Sequence, residues 1–478
     1  MKIPFFDLTR QYAALRAEMA ESVQRVFDSQ QFILGKTVEA FERQFAETFD
    51  TPHAIGMSSG TDAQLAILMA LGIGKGDAVI TTPYTFFATA GCIARVGAEP
   101  VFVDVLPDTL TIDPAQVARL LDTAKDGRSA RGNKIRAIIP VHLFGMCADM
   151  APLSEIAERY NLDIIEDACQ AVGTFYEARL GSTGVSPTHS TESNRRPTGI
   201  AATSTESTVS AGTPRHAGEM PALSIPEPIG SRSTAAFYSF FPTKNLGGAG
   251  DGGLATCRDA GFADALKRVR NHGMEKQYHH TSVGGNFRLD ALQAAVLAVK
   301  LPRLAAWNQA RRAHAAQYRA ELGDLADLVL PADPSIMANV SRDSSKSSES
   351  SESRLINHSN PTNPTNPMNL TTPRAEGAES ISHSSLVTSH YQHTYHQYVI
   401  HSPRRDAIKT ALDAAEIGSM VYYHVPLHLQ PCFADLGYKQ GDMPKSERAS
   451  RESLALPIFP ELRSEEVSYI CEVIRKAL

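Results

Sequence analysis

No stretch of this 478-residue chain holds the roughly 20 consecutive apolar residues needed to cross a bilayer. The first residues, Met1-Lys2-Ile3-Pro4-Phe5-Phe6-Asp7, lack the charged and apolar regions of a signal peptide. A membrane partner is therefore not expected, and the cytoplasm is the expected compartment. Basic excess is also missing. The formal net charge of -6 supplies no positive field for nucleic acid. The six cysteines are scattered, with no C-x-x-C pair, as expected of small buried hydrophobes under reducing conditions. The adjacent pair His279-His280 cannot form an i, i+4 zinc pair, so no metal is expected. Gly72-Ile73-Gly74-Lys75-Gly76 lacks P-loop spacing. Gly248-x-Gly250-x-x-Gly253 has the letters of a dinucleotide fingerprint but runs into a strand rather than a helix, which excludes it. No internal repeat is present.

What is there has the composition of a large soluble enzyme, 42% hydrophobic and 21% charged. Two stretches depart from it. Residues 183–233 are rich in Ser, Thr, Pro and Gly, and residues 333–389 contain serine and Asn-Pro-Thr runs. Neither can bury enough apolar surface to offset its ordering entropy, so both are expected to be disordered surface insertions. The remainder alternates short apolar runs with helical patterns. The runs His53–Met57, Ala78–Thr82, Pro100–Asp104, Arg136–Val141, Leu162–Glu166, Ala235–Ser239 and Gly253–Cys257 predict buried strands. Asp62–Leu71, Pro114–Asp122 and Met150–Tyr160 predict helices between them. The expected fold class is α/β, with a mostly parallel seven-stranded sheet covered by helices. An N-terminal helical segment spans 1–28 and the large domain 29–288. Residues 289–478 hold a long helical stretch, Leu289–Leu322, and a smaller C-terminal α/β domain.

Ligands of such sheets collect beyond the carboxyl ends of the strands, where four segments place reactive groups. Ser58-Ser59-Gly60-Thr61-Asp62 opens a helix after a strand, suiting either a phosphate site or plain N-capping. Asp167 closes an apolar strand, where an acid could ligate a metal, bind a ribose hydroxyl, pair with a protonated ring nitrogen or simply cap the strand. Gln170 follows it. Ser239-Phe240-Phe241-Pro242-Thr243-Lys244-Asn245-Leu246-Gly247-Gly248 delivers a serine and a lysine from one strand end. Confinement can lower a lysine's pKa from about 10.4 and let it form a Schiff base. Asn286 and Arg288, before the next helix, suit phosphate binding or capping.

Taken in order, these segments resemble the DegT/StrS-type nucleotide-sugar aminotransferases of the aspartate-aminotransferase fold. The resemblance extends over nearly the whole chain outside the two insertions. It is carried by Pro4-Phe5-Phe6-Asp7-Leu8, Phe32-Ile33-Leu34-Gly35, Ser59-Gly60-Thr61-Asp62-Ala63, Pro140-Val141-His142-Leu143-Phe144-Gly145, Glu166-Asp167-Ala168, the Lys244 segment, Gly250-Asp251-Gly252-Gly253, Asn286-Phe287-Arg288-Leu289-Asp290 and Tyr422–Gln430. It implies pyridoxal 5'-phosphate as cofactor, held by Lys244 as a Schiff base. Asp167 would pair with the ring nitrogen, Gln170 would lie near the ring oxygen, and Phe86 would stack on the ring. Gly60, Thr61 and Ser239 would hold the phosphate, and Asn286 would reach it from the neighbouring subunit of a homodimer. Tyr278, Arg288, His424 and His428 would border the sugar. The implied reaction moves an amino group from glutamate to a nucleotide-linked keto-sugar, with the Tyr422–Gln430 segment favouring a 3-keto over a 4-keto acceptor. A sugar dehydratase on this scaffold would carry histidine in place of Lys244, and a non-catalytic regulator would not need the full set. Met146 departs from the family, which often has Gln there, and is expected to alter the pocket wall.

Overall fold

The computed structural model describes residues 1–179, 224–333, 390–391 and 393–478. The bodies of both expected insertions, and the Asn-x-Ser/Thr triplets at Asn339, Asn357 and Asn369, lie outside the described residues.

Seven strands build the main sheet: β1 (His53–Met57), β2 (Asp77–Thr81), β3 (Glu99–Phe102), β4 (Lys134–Ile138), β5 (Asp163–Asp167), β8 (Ala235–Ser239) and β9 (Gly253–Cys257). These are the seven expected runs, with ends displaced by at most a few residues. Their spatial order is β1-β9-β8-β5-β4-β2-β3, and every pairing is parallel except the two made by β9. A strand buried on both faces must be apolar throughout, and Ala78–Ile80 and Ile164–Ile165 are fully enclosed. One face packs Phe41, Phe45, Ile138, Leu153 and Leu254. The other packs Ile55, Leu68, Ile93, Ile165 and Leu266. The covering helices start where the sequence supplies caps. Ser59 caps Gly60–Ala70, Asp113 with Pro114 behind it caps Pro114–Thr123, and Asp259 caps Ala260–Arg270, each side-chain oxygen accepting from a first-turn N–H.

The expected Leu289–Leu322 stretch is two helices, Ala291–Lys300 and Leu304–Leu322, joined by a 3₁₀ turn at Leu301–Arg303. Pro302 lies in that turn; having no N–H, it cannot extend the α-helical ladder. A second sheet was not anticipated. It pairs β6 (Phe175–Arg179) with β7 (Ser224–Pro228) and with β12 (His390–Tyr391), all antiparallel. Both low-complexity stretches adjoin this sheet, and β7 falls inside the range 183–233. A short antiparallel hairpin, β10 (Met274–Lys276) and β11 (His279–His280), follows helix Ala260–Arg270 in the chain and precedes helix Ala291–Lys300.

The C-terminal unit pairs β13 (Tyr398–His401) antiparallel with β14 (Ser453–Leu456) and packs helices Leu304–Leu322, Arg405–Ala414 and Ser464–Ala477 around Tyr318, Tyr398, Leu412 and Ile470. Ile3 is buried in the same core, so the chain's first residues belong to its last unit. This unit carries an acid sensitivity. The Tyr395 N–H donates to Nδ1 of His393 at 2.9 Å, and burial pushes His393 down to about 3 and His401 down to about 4. Both are depressed below the unfolded value of about 6.5, so the unfolded chain binds more protons as pH falls through that value. Stability is then lost as pH falls. Denaturant unfolding is expected to show a loss on the order of 3 kcal/mol from about pH 7 to about pH 5. A flat profile over that interval would contradict the buried neutral state of these histidines.

Candidate active site

The carboxyl ends of β1, β2, β5 and β8 open onto a cavity of about 420 Å³. Its wall includes Ser59, Gly60, Thr61, Phe86, Thr89, Asp167, Cys169, Gln170, Ser239, Lys244, His396, Tyr422 and Tyr423. Seven of the residues singled out from sequence meet here: Gly60, Thr61, Phe86, Asp167, Gln170, Ser239 and Lys244.

Asp167, at the tip of β5, is buried. Its Oδ2 accepts from the Thr89 hydroxyl at 2.8 Å and its Oδ1 from the Cys169 N–H at 3.2 Å. Burial pushes its carboxyl above the usual range, against those hydrogen bonds and the charge of Lys244. Two neutral donors do not compensate a buried anion, so this carboxylate suits a cationic partner from the cavity. Burial likewise lowers the Lys244 amine, opposed by Cys169 and Asp167. Behind the strand, the Glu166 side chain points to the opposite face. It accepts from His142 Nε2 at 2.8 Å, from Gly230 N–H at 3.0 Å and from the Tyr176 hydroxyl. This network anchors β5 where Asp167 leaves it.

Gly60 and Thr61 begin the helix after β1. Ser59 Oγ accepts from Asp62 N–H at 3.0 Å, and no hydrogen bond engages the N–H groups of Gly60 and Thr61 among the described residues. They are therefore available for an anion beside Ser239. Gly60 is required by contact: a Cβ there would stand 2.9 Å from both Cys169 Sγ and Ser239 Cβ. Gly60→Ala is expected to push the helix start off Ser239, at about 1–3 kcal/mol. Equilibrium titration with pyridoxal phosphate should show this as weaker binding; unchanged affinity would remove the phosphate role of this turn.

Gln170 is held on both sides: its Oε1 accepts from Phe144 N–H at 2.8 Å and its Nε2 donates to the Tyr423 hydroxyl at 3.2 Å. Phe86 is 59% exposed, its ring free to cover a planar ligand. The remaining sequence candidates lie off this wall. Asn286 is exposed, Tyr278 is 86% exposed in the turn of the β10–β11 hairpin, and His424 is exposed. Arg288 donates to Asn271 Oδ1 at 2.7 Å and lines, with Asp62, a polar recess that shares Ser59 and Asp251 with the cavity. His428 is buried against Glu447 at 3.2 Å. Met146 lines a neighbouring cavity of about 370 Å³ that shares Phe144 and Gln397 with the first but contains neither Asp167 nor Lys244. Thr89, Cys169, His396, Tyr422 and Tyr423 were not singled out individually. Cys169 stands between Asp167 and Gln170, whereas Thr89, His396 and the Tyr422-Tyr423 pair come from other elements. Of these, the Tyr-Tyr pair lies in a segment that carries the resemblance and His396 in Tyr395-His396-Gln397-Tyr398, at the edge of the second insertion.

Among the described residues no group of three or more His, Cys, Asp or Glu could hold a metal ion, and no helix is long and apolar enough to cross a membrane. The cavity matches pyridoxal phosphate part by part. The helix start and Ser239 suit the phosphate, Asp167 a protonated ring nitrogen, Gln170 with Tyr423 a polar ring substituent, and Lys244 the aldehyde. The fold and this cavity define a pyridoxal-phosphate-dependent enzyme of the aspartate-aminotransferase fold. A family model, DegT/DnrJ/EryC1/StrS aminotransferase, matches residues 13–196, 201–357 and 373–475. The chain belongs to this family.

Its relatives include a pleiotropic regulatory protein of Geobacillus stearothermophilus, 38% identical over 99% of this chain and 98% of the other. A UDP-N-acetyl-3-dehydro-alpha-D-glucosamine 3-aminotransferase of Acidithiobacillus ferrooxidans is 33% identical over 100% and 98%. Among solved structures, Streptomyces venezuelae DesV in complex with a ketimine intermediate has a TM-score of 0.73 at 31% identity, covering 99% of this chain and 98% of that one.

Proposed function

We propose that this protein is a cytoplasmic aminotransferase that moves the amino group of glutamate, through pyridoxal phosphate, to the 3-keto position of a nucleotide-linked sugar. The observation that carries this reading is the presence of Lys244 and Asp167 in one cavity with a helix N-terminus. Similarity to the Acidithiobacillus 3-aminotransferase supports the 3-keto acceptor.

When bound, pyridoxal phosphate supplies the carbon that takes up the amino group and the ring that spreads the electron pair left by proton removal. Lys244 would hold it through Nζ, and its free amine would move the proton at the reacting carbon; its lowered pKa favours the neutral form this needs. Asp167 holds the positive charge of the ring nitrogen. The N–H groups of Gly60 and Thr61, with Ser239, fix the phosphate, and Phe86 covers the ring. Asn286, exposed and off the cavity, completes the phosphate site of a second copy. The exposed apolar side chains of Phe6, Tyr12, Phe27, Ile33 and Phe241 suit the homodimer this needs. Tyr278, Arg288, His424 and His428 are left as candidates for the sugar side, His428 through its bond to Glu447.

The similarity to the Geobacillus regulatory protein favours a second reading, a family member that binds the cofactor without turnover. Incubation with glutamate and UDP- or dTDP-linked 3-keto sugars separates the two. An amino sugar and 2-oxoglutarate in equal amounts, by mass spectrometry, is the expected result. Retention of the cofactor with no product from any acceptor would favour the regulatory reading.

A further inference from the structure

The residue after Lys244 leads to a side chain that the reaction as described leaves unused. Asn245 is buried, and its Nδ2 donates to the Thr394 carbonyl at 3.1 Å and to Asn308 Oδ1 at 2.8 Å. A backbone carbonyl can only accept, so the orientation of the Asn245 amide is fixed. Asn308 is fixed in the same manner, its Nδ2 donating to the Val172 carbonyl at 3.0 Å. Asn245 Oδ1 therefore points to Nδ1 of His396, 3.2 Å away, and that nitrogen must carry the proton. The His396 ring is buried, lines the same cavity as Lys244, and has no bond to Nε2 among the described residues. Its backbone is held as well, because Arg311 Nη1 donates to the Tyr395, His396 and Ile458 carbonyls.

We infer that His396 is a positioning residue of the site: a neutral imidazole, Nδ1–H fixed on Asn245, whose unprotonated Nε2 accepts a hydrogen bond from an N–H or O–H donor in the cavity. The donor is either the Lys244 amine or a hydroxyl of the sugar; only the second rests on the proposed substrate. The charged groups acting on the ring are Lys244 and Arg311; the same cavity wall holds the titratable Asp167 and the neutral thiol of Cys169. Burial opposes protonation most, joined by the charge of Arg311 and by that of Lys244 whenever its amine is protonated, in keeping with the neutral ring that the amide chain holds.

The first test needs no variant. Two-bond ¹⁵N–¹H spectra of the full-length, cofactor-loaded protein should show His396 neutral and Nδ1-protonated between about pH 5 and 8. An Nε2-protonated or cationic ring at neutral pH would overturn the inference, whatever the enzyme's substrate proves to be. The second test uses His396→Asn, whose amide N–H can replace Nδ1–H on Asn245 while removing the acceptor that faces the cavity. In the pyridoxamine-phosphate-loaded protein, the Lys244 amine is read by pH-dependent acetylation and mass spectrometry. An acceptor favours the ammonium, so loss of His396 Nε2 should lower that titration if Lys244 is the donor. If the sugar is the donor, the KM for the keto-sugar should rise on the order of three- to ten-fold with the KM for glutamate unchanged. A variant in which neither changes would overturn the inference.

Discussion

Lys244→Ala is expected to reduce transamination by roughly 10⁴-fold or more and to leave the fold intact. The magnitude follows from two losses at one atom. Without Nζ the covalent anchor and the amine that would move the proton at the reacting carbon are lost together. Cys169 cannot substitute, since burial and the neighbouring Asp167 push its thiol well above the usual range and keep it protonated. Stability should hold, because Lys244 lies in the turn after β8 and burial already works against its charge. Gly60, Thr61, Ser239 and Asp167 remain to bind the cofactor, which should stay attached but become dialysable. The check is single-turnover kinetics with glutamate beside a thermal melt. Residual activity within about ten-fold of the parent would remove Lys244 from the chemistry.

Asp167→Asn should cost roughly 10²- to 10³-fold in turnover and weaken cofactor binding, by removing the charge that faces the ring nitrogen. The local geometry can survive. Asparagine Oδ1 still accepts from the Cys169 N–H, and the Thr89 hydroxyl, 3.1 Å from Thr85 Oγ1, can turn its proton towards that partner. Stability of the cofactor-free protein should move the other way. Asp167 is raised above the unfolded value, so the folded chain binds the extra proton and loses stability as pH rises past the normal carboxyl range. At neutral pH the amide removes that penalty. The expected pair, then, is a slower enzyme and a firmer apoprotein, read by kinetics and by denaturant melts. An unchanged or lower melt would contradict the uncompensated buried charge.

The contrast between what was and was not legible in the sequence follows from the range of the forces involved. Strands buried on both faces must be apolar throughout, so Ile164-Ile165 or Ala235–Tyr238 could be read as single runs, and the polar residue ending each run fell at the sheet's carboxyl edge. Asp167 and Ser239 stand out for that reason, whereas Lys244, five residues past the end of its run, stands out only through the company of the other segments. The β6–β7–β12 sheet had no such signal, because it is short and borders low-complexity sequence that masks periodicity. The break at Pro302 was lost in an otherwise continuous helical pattern. His396 and Tyr423 reach the cavity from the C-terminal unit, and only the folded chain joins them to β5 and β8. Proximity in sequence also does not fix direction. Tyr423 turns into the cavity, His424 next to it is exposed, and His428 turns to Glu447.

The most direct measurement is the absorbance spectrum of the purified, cofactor-loaded protein before and after glutamate is added. The expected result is a visible band that gives way to the shorter-wavelength pyridoxamine form as 2-oxoglutarate appears, with no such band in Lys244→Ala. A protein that never takes up pyridoxal phosphate, or whose band is indifferent to every amino donor, would contradict it.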